Sequence, residues 1–322
     1  MSATCFGKIP SRGDFVKGTG QHQLIEVLDR WMSAGMELLS TDPTWKIAYD
    51  QAPTFDFAFV GARNRVSVIG HLRPSQDASG RRFPFIAAAT IERDDSLMFR
   101  CGPAALLHPL GELGKAAERA TGGADMGEVM QAVDTLDCTA TVDKALREDP
   151  LGHYVRRTTL ADFASSLSPA QSPEAVRRII LAVGILLRPV LGNPALAIEK
   201  GLSMPLPYAT KQRYLAAGLW LYLVTALLRK TAIEIQALIS HDARSPRLTI
   251  GFNGASAHTL LCALSPALAA ETTVALDDPE WIDEHPDLTH DYGVAKLASY
   301  LAQPSLTLEA ALNTFREVFL GE

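Results

Sequence analysis

Gly7-Lys8-Ile9-Pro10-Ser11-Arg12-Gly13-Asp14-Phe15-Val16 sets Gly, Pro and charged or hydroxyl side chains directly behind a short apolar stretch. Gly7, Pro10 and Gly13 restrict the backbone while Lys8, Arg12 and Asp14 present charge, the pattern of a loop that binds rather than merely turns. Gly7-Lys8 is not a nucleotide phosphate loop. That motif needs a glycine five residues before Gly7 and Ser or Thr after the lysine, where this chain has Ser2 and Ile9. A second polar segment runs from Arg73 to Pro84, with Arg73, Arg81 and Arg82 bracketing Ser75, Asp77 and Ser79. Guanidinium groups favour carboxylate or phosphate partners. Two roles stay open for these arginines: recognition of a partner, or pairing with Asp14 and Asp77 to order the loops.

The remaining polar constellations fit catalytic templates poorly. Leu248 to Ser256 reads as a strand entering a helix, but Asn253 stands where a dinucleotide fingerprint needs its second glycine, so a plain turn is expected. Around Ser256, His258 replaces the final glycine of the G-x-S-x-G nucleophile elbow. The stretch from Asp277 to Asp291 holds seven carboxylates with His285 and His290. It lacks the spacing of zinc or calcium sites and reads as a solvated acidic loop. His22, His71, His108, His153 and His241 are isolated in sequence. No catalytic, cofactor or metal residues are therefore assigned, and the chain is expected not to be an enzyme. The enzymatic alternative is a hydrolase or metal-dependent activity in the C-terminal half, centred on His258 and the acidic stretch.

The elements that carry these segments follow from apolar periodicity. A strand over 4–7 leads into the first loop. A helix over 21–40 follows, with Leu24, Leu28, Trp31, Met32, Met36 and Leu39 on one face. Phe55 to Val60 alternates as a half-buried strand, 61–64 makes a turn, and 65–72 returns as its antiparallel partner. Phe85 to Ile91 is continuously apolar, which predicts a central strand covered on both faces, with Pro84 tolerated at its start. Helices are expected over 104–120 and 126–136. Beyond a weakly patterned stretch at 138–173, the pattern predicts helices over 174–190, 211–230 and 255–264, strands over 195–200, 247–252 and 272–276, and an amphipathic C-terminal helix bearing Leu308, Leu312, Phe315 and Phe319. The fold class is α/β (α+β): a largely antiparallel N-terminal sheet flanked by helices, then a second α/β region of alternating strands and helices.

Composition narrows the function. With 322 residues, 47% of them hydrophobic, the chain can bury sizeable cores and has the length of about two domains. A net charge of −6 argues against a nucleic-acid partner, which would call for a basic face. Cys5, Cys101, Cys138 and Cys262 are scattered and are expected as reduced thiols. The N-terminus shows no export leader, and the apolar run Leu215–Leu228 is too short to span a bilayer, so a cytoplasmic protein without membrane insertion is expected.

Taken in order and spacing, the first loop, Trp31, Ala52-Pro53 before the aromatic strand, Arg73-Pro74-Ser75 and Gly80-Arg81-Arg82-Phe83-Pro84-Phe85 resemble the TagF (ImpM) family of type VI secretion accessory proteins. Ser245 to Phe252 is more loosely similar to the family's C-terminal part. The weakly patterned stretch marks the domain boundary, which gives a TagF-like domain at 1–140 and a C-terminal α/β domain at 141–322, expected to pack against the first. It implies a cytoplasmic, non-enzymatic post-translational regulator, usually a repressor, whose partner is the forkhead-associated scaffold of the threonine-phosphorylation pathway. A structural subunit associated with the secretion baseplate is a further alternative. Some relatives are fused to a metal-dependent phosphatase, whose Asp-Gly dipeptide is missing from this chain. Lys8, Arg12, Asp14, Phe15, Arg73, Ser75, Arg81 and Arg82 are the candidate partner-binding residues. The loops 8–19 and 73–84 are expected to leave the sheet at neighbouring strand ends and to form one surface.

Overall fold

The computed structural model describes residues 3–19, 21–61, 65–92, 97–168 and 171–322, without the side chains of 97–102. The expected turn at 61–64 and the thiol of Cys101 therefore lie largely outside the described residues. In chain order the elements are β1 (Ala3–Gly7), β2 (Val16–Lys17), α1 (His22–Leu39), α2 (Trp45–Gln51), β3 (Phe55–Gly61), β4 (Val66–Arg73), β5 (Phe85–Glu92), α3 (Leu97–Thr121), α4 (Met126–Asp134), α5 (Cys138–Glu148), α6 (Pro150–Arg157), α7 (Leu160–Leu167) and α8 (Pro173–Gly192). There follow β6 (Gly201–Pro205), α9 (Thr210–Leu228), β7 (Glu234–Ser240), β8 (Arg247–Gly251), α10 (Ala257–Leu264), β9 (Thr273–Ala275), α11 (Asp287–His290), α12 (Tyr292–Leu301) and α13 (Leu308–Leu320).

One nine-stranded sheet, ordered β2-β1-β5-β4-β3-β7-β8-β6-β9, runs through both halves of the chain. It is antiparallel except for β6 against β9. The alternation of side chains along β5 shows why its sequence is apolar throughout. Ile86 and Ala88 face a cluster with Leu28, Trp31 and Met32 of α1, whereas Phe85, Ala87 and Ala89 face a second cluster with Leu110 and Leu113 of α3. Helices thus cover both faces, α1 and α10 on one side and α3 with α8 and α9 on the other, and neither face of a central strand is left for polar residues. Trp31 anchors the first layer, its ring 5.2 Å from that of Phe57 and 5.1 Å from that of Phe59. On the opposite side Trp220 of α9 is fully buried, edge-on to Phe163, with its indole N–H donating to the Pro205 carbonyl at 3.0 Å.

Several expected elements move. The helix expected at 104–120 begins at Leu97 and carries Pro103 and Pro109 within it. The strand expected at 195–200 lies at Gly201–Pro205, after a turn. Residues 138–167, where no pattern was evident, form three short helices, each opened by a side-chain cap: Asp137, Asp149 and Thr159. β7 has no counterpart in the sequence reading, yet it is the strand that pairs with β3, from Phe55↔Ser240 to Gly61↔Glu234, and joins the two halves. Among the described residues no helix is long and apolar enough to cross a membrane.

Candidate functional site

The two polar loops meet at one end of the sheet because β1 ends where β5 begins, Gly7 pairing with Phe85. Gly7 adopts φ +135°, and a Cβ there would lie 2.1 Å from the Pro84 carbonyl oxygen, so only glycine permits this exit. Beyond it the loops dock on one another. The Ala78 amide donates to the Arg12 carbonyl at 2.8 Å, and the Arg81 guanidinium donates to the Gly13 carbonyl at 2.7 Å.

Asp77 is the centre of this junction. Its buried carboxylate accepts from Ser79 Oγ at 2.7 Å, from the Arg81 amide at 3.0 Å and from Arg81 Nε at 2.7 Å, and it pairs with Lys8 Nζ at 3.0 Å. Burial works against its charge, but the bonds from Ser79, Lys8 and Arg81 prevail and hold its pKa well below the ordinary carboxylate value. Lys8 also lies over the Phe15 ring, which stacks on Phe6 at 5.5 Å and meets Phe83 edge-on at 5.0 Å. Arg82 forks onto Asp50 with bonds of 2.6 and 2.7 Å. Tyr49 Oη ties both the amide and the carbonyl of Ser75, each at 2.9 Å.

The candidate residues therefore divide by what they touch. Lys8 and Arg81 are engaged in holding the loops together, and Arg82 ties the second loop to α2 through Asp50. The side chains of Arg12 and Arg73 make no hydrogen bond or ion pair with another described residue, and Asp14 caps only its neighbour's amide, that of Phe15. Phe15 is 38% exposed at the same end.

A second cluster lies at the seam between the halves. Asp56 is the second residue of β3, directly opposite His71 of β4. Its carboxylate accepts from His71 Nδ1 at 2.7 Å, from His241 Nε2 at 2.6 Å and from the Tyr214 hydroxyl of α9. Arg213, itself buried, donates to the carbonyls of Pro207 and Tyr208 and to His241 Nδ1 at 3.1 Å. Burial opposes the charge of Asp56, yet the bonds from His241 and His71 outweigh it and bring its pKa down to about 2. Burial, reinforced by the Asp56 charge, pushes the Tyr214 phenol well above its usual range.

Asp56, His71 and His241 offer three ligand atoms within 4.8 Å of one another, a two-histidine, one-carboxylate set suited to zinc or iron. The hydrogen bonds argue for a different use. A guanidinium only donates, so His241 Nδ1 is an acceptor and the ring proton sits on Nε2, the atom that a metal would take. A metal-bound histidine donates its other ring N–H to a second shell, whereas here that nitrogen faces a donor. The cluster is a hydrogen-bonded knot that fastens β3 and β4 to α9 and the end of β7.

The acidic stretch is exposed, as expected, but its carboxylates are paired with arginines of α8 and β8. Asp278 pairs with Arg178 at 2.7 Å, Asp283 with both Arg177 and Arg178, Asp287 and Asp291 with Arg188, and Asp277 with Arg247. Ser256 stands at the N-cap position of α10 without a side-chain cap bond and uses its backbone to bind Gln236 and Trp31, while His258 is exposed. His71 and His241 had looked isolated; the signal for their assembly was Asp56, a lone charge inside Phe55-Asp56-Phe57.

Arranged in this way, the N-terminal sheet and its interlocked loops define a scaffold that displays a polar face. Residues 4–136 match the TagF N-terminal domain, described as Type VI secretion system-associated. The chain belongs to this family through that domain and is a type VI secretion system-associated protein. Among solved structures, the crystal structure of PA0076 from Pseudomonas aeruginosa PAO1 is similar, at 20% identity over 46% of this chain and 78% of that one, with a TM-score of 0.34. No curated protein matches the chain.

Proposed function

We propose that the chain is a cytoplasmic, non-enzymatic accessory protein that regulates type VI secretion after translation, as a repressor, by binding the system's forkhead-associated scaffold protein. The observation that carries this reading is the docking of the loops 8–19 and 73–84. Internal bonds consume Lys8, Asp77, Arg81 and Arg82, and the same frame holds Arg12 and Arg73 without a side-chain partner among the described residues, beside Asp14 and the part-exposed Phe15, at one end of the sheet. A rigid frame presenting loop residues of this kind suits recognition of another protein.

The test is capture of the forkhead-associated scaffold from a native lysate by the tagged chain, alongside a variant carrying Arg12→Ala, Asp14→Ala and Arg73→Ala. The variant is expected to melt like the wild type and to lose the scaffold. Equal capture by the two, or failure of the wild type to capture the scaffold at all, refutes the reading. Deleting the gene should raise effector release; lowered release would reverse the sign of regulation.

A further inference from the structure

Arg73 closes β4 between two adjoining cavities of about 580 and 320 Å³ and lines both. It is half-buried, and its guanidinium has no hydrogen-bond or ion-pair partner among the described residues. The other cations of these walls are taken: Arg82 by Asp50 and Lys115 by Glu112. A guanidinium at a cavity wall with no bonded partner keeps its donors available to an incoming anion. Two residues along the chain, Ser75 lines the larger cavity, and its Oγ is buried with no hydrogen-bond partner. The two bonds from Tyr49 fix the Ser75 backbone, so both donors stand on a segment already held in place. Pro10 of the first loop forms part of the same wall, which makes the cavity continuous with the two-loop face.

We infer that this cleft is a carboxylate-binding site that receives an aspartate or glutamate side chain of a protein partner, with Arg73 and the Ser75 hydroxyl as donors. The inference rests on the partner-binding reading above and names the chemistry that the partner must present. Charge counting favours a carboxylate over a phosphoryl group. The cleft offers one unspent guanidinium, and the exposed Glu118 of α3 borders both cavities, so a single negative charge is matched where a double one would meet repulsion.

The test uses a labelled, capped tetraglutamate peptide read by fluorescence anisotropy at low ionic strength, where surface charge is least screened. Wild-type protein is expected to bind it. Arg73→Ala should weaken binding at least about tenfold, Ser75→Ala a few-fold, and Glu118→Gln should tighten it. Circular dichroism melts confirm that each variant is folded. A wild-type chain that ignores the peptide, or an Arg73→Ala variant that binds it equally well, overturns the inference. Much tighter binding of the matching phosphoserine peptide reassigns the cleft and overturns it too. The same variants are then titrated with the scaffold protein. Scaffold binding that survives Arg73→Ala removes the cleft from the interface and leaves the partner reading standing; peptide binding through Arg73 without any scaffold binding does the reverse.

Discussion

Replacing Asp56 by Asn tests whether the knot at the β3–β7 seam holds the two halves together. The carboxylate accepts from His71, His241 and Tyr214, and Asn would turn a donating amide toward at least one of these donors. The folded-state pKa of about 2, against an ordinary 3.8, corresponds to roughly 2 kcal/mol in favour of the ionised folded form. The mismatched donor adds about 1–2 kcal/mol. A loss of about 3–4 kcal/mol follows. At ~2.1 cal/mol/K of unfolding entropy per residue, a chain of 322 residues loses roughly 1.5 °C per kcal/mol, so the melting temperature should fall by about 5 °C. The pH dependence has a definite sign. Because the folded pKa is depressed, the contribution is complete above the unfolded value near 4 and is lost as pH falls toward 2. Urea unfolding of both proteins, followed by circular dichroism between pH 7 and pH 3, should show a constant gap above pH 5 that narrows below pH 4. Equal stability at pH 7, or a gap that ignores pH, refutes the argument.

Gly7→Ala places a Cβ against the Pro84 carbonyl oxygen and should cost more than about 2 kcal/mol in urea unfolding, with raised protease sensitivity at both loops; wild-type behaviour would show that the exit tolerates a side chain. Arg81→Ala breaks the bonds to Asp77 and Gly13, so limited proteolysis should cut the 73–84 loop faster, whereas Arg12→Ala should leave the cleavage rate unchanged. Trp31→Ala empties the α1 layer and should destabilise the fold by about 3–5 kcal/mol; a loss below 1 kcal/mol would mean that the ring is not packed as described. Burial pushes the thiol pKa of Cys5 to about 12 and that of Cys138 to about 11, so peptide mapping after treatment with a thiol reagent at pH 8 should find both labelled only in denaturant.

Local pattern was enough wherever a segment's neighbours in sequence are also its environment. The α1 stripe ending at Leu39, the β3–β4 pair, the doubly covered β5 and the Gly, Pro and charge of the two loops are all written in periods of 3.6 or 2 and in turn chemistry, and residues 5–92 carry the family signature in order. What long-range contact creates was not legible. β7 reads Glu-Ile-Gln-Ala-Leu-Ile-Ser, ambiguous alone, and is a strand because β3 and β8 flank it. The ion pairs of the exposed acidic stretch were not legible because its counter-charges, Arg177, Arg178 and Arg188, lie about a hundred residues earlier on α8. Asp56, His71 and His241 are a lone charge and two lone imidazoles until β3, β4 and the end of β7 converge, since a buried carboxylate must find its donors wherever the fold brings them. By itself the sequence determined the local elements, the loop that only Gly7 can open and the family to which it belongs. Only the tertiary structure decided which loop charges are spent on each other and which, Arg12 and Arg73 above all, remain for something else, because pairing is a matter of distance in space and not of spacing along the chain.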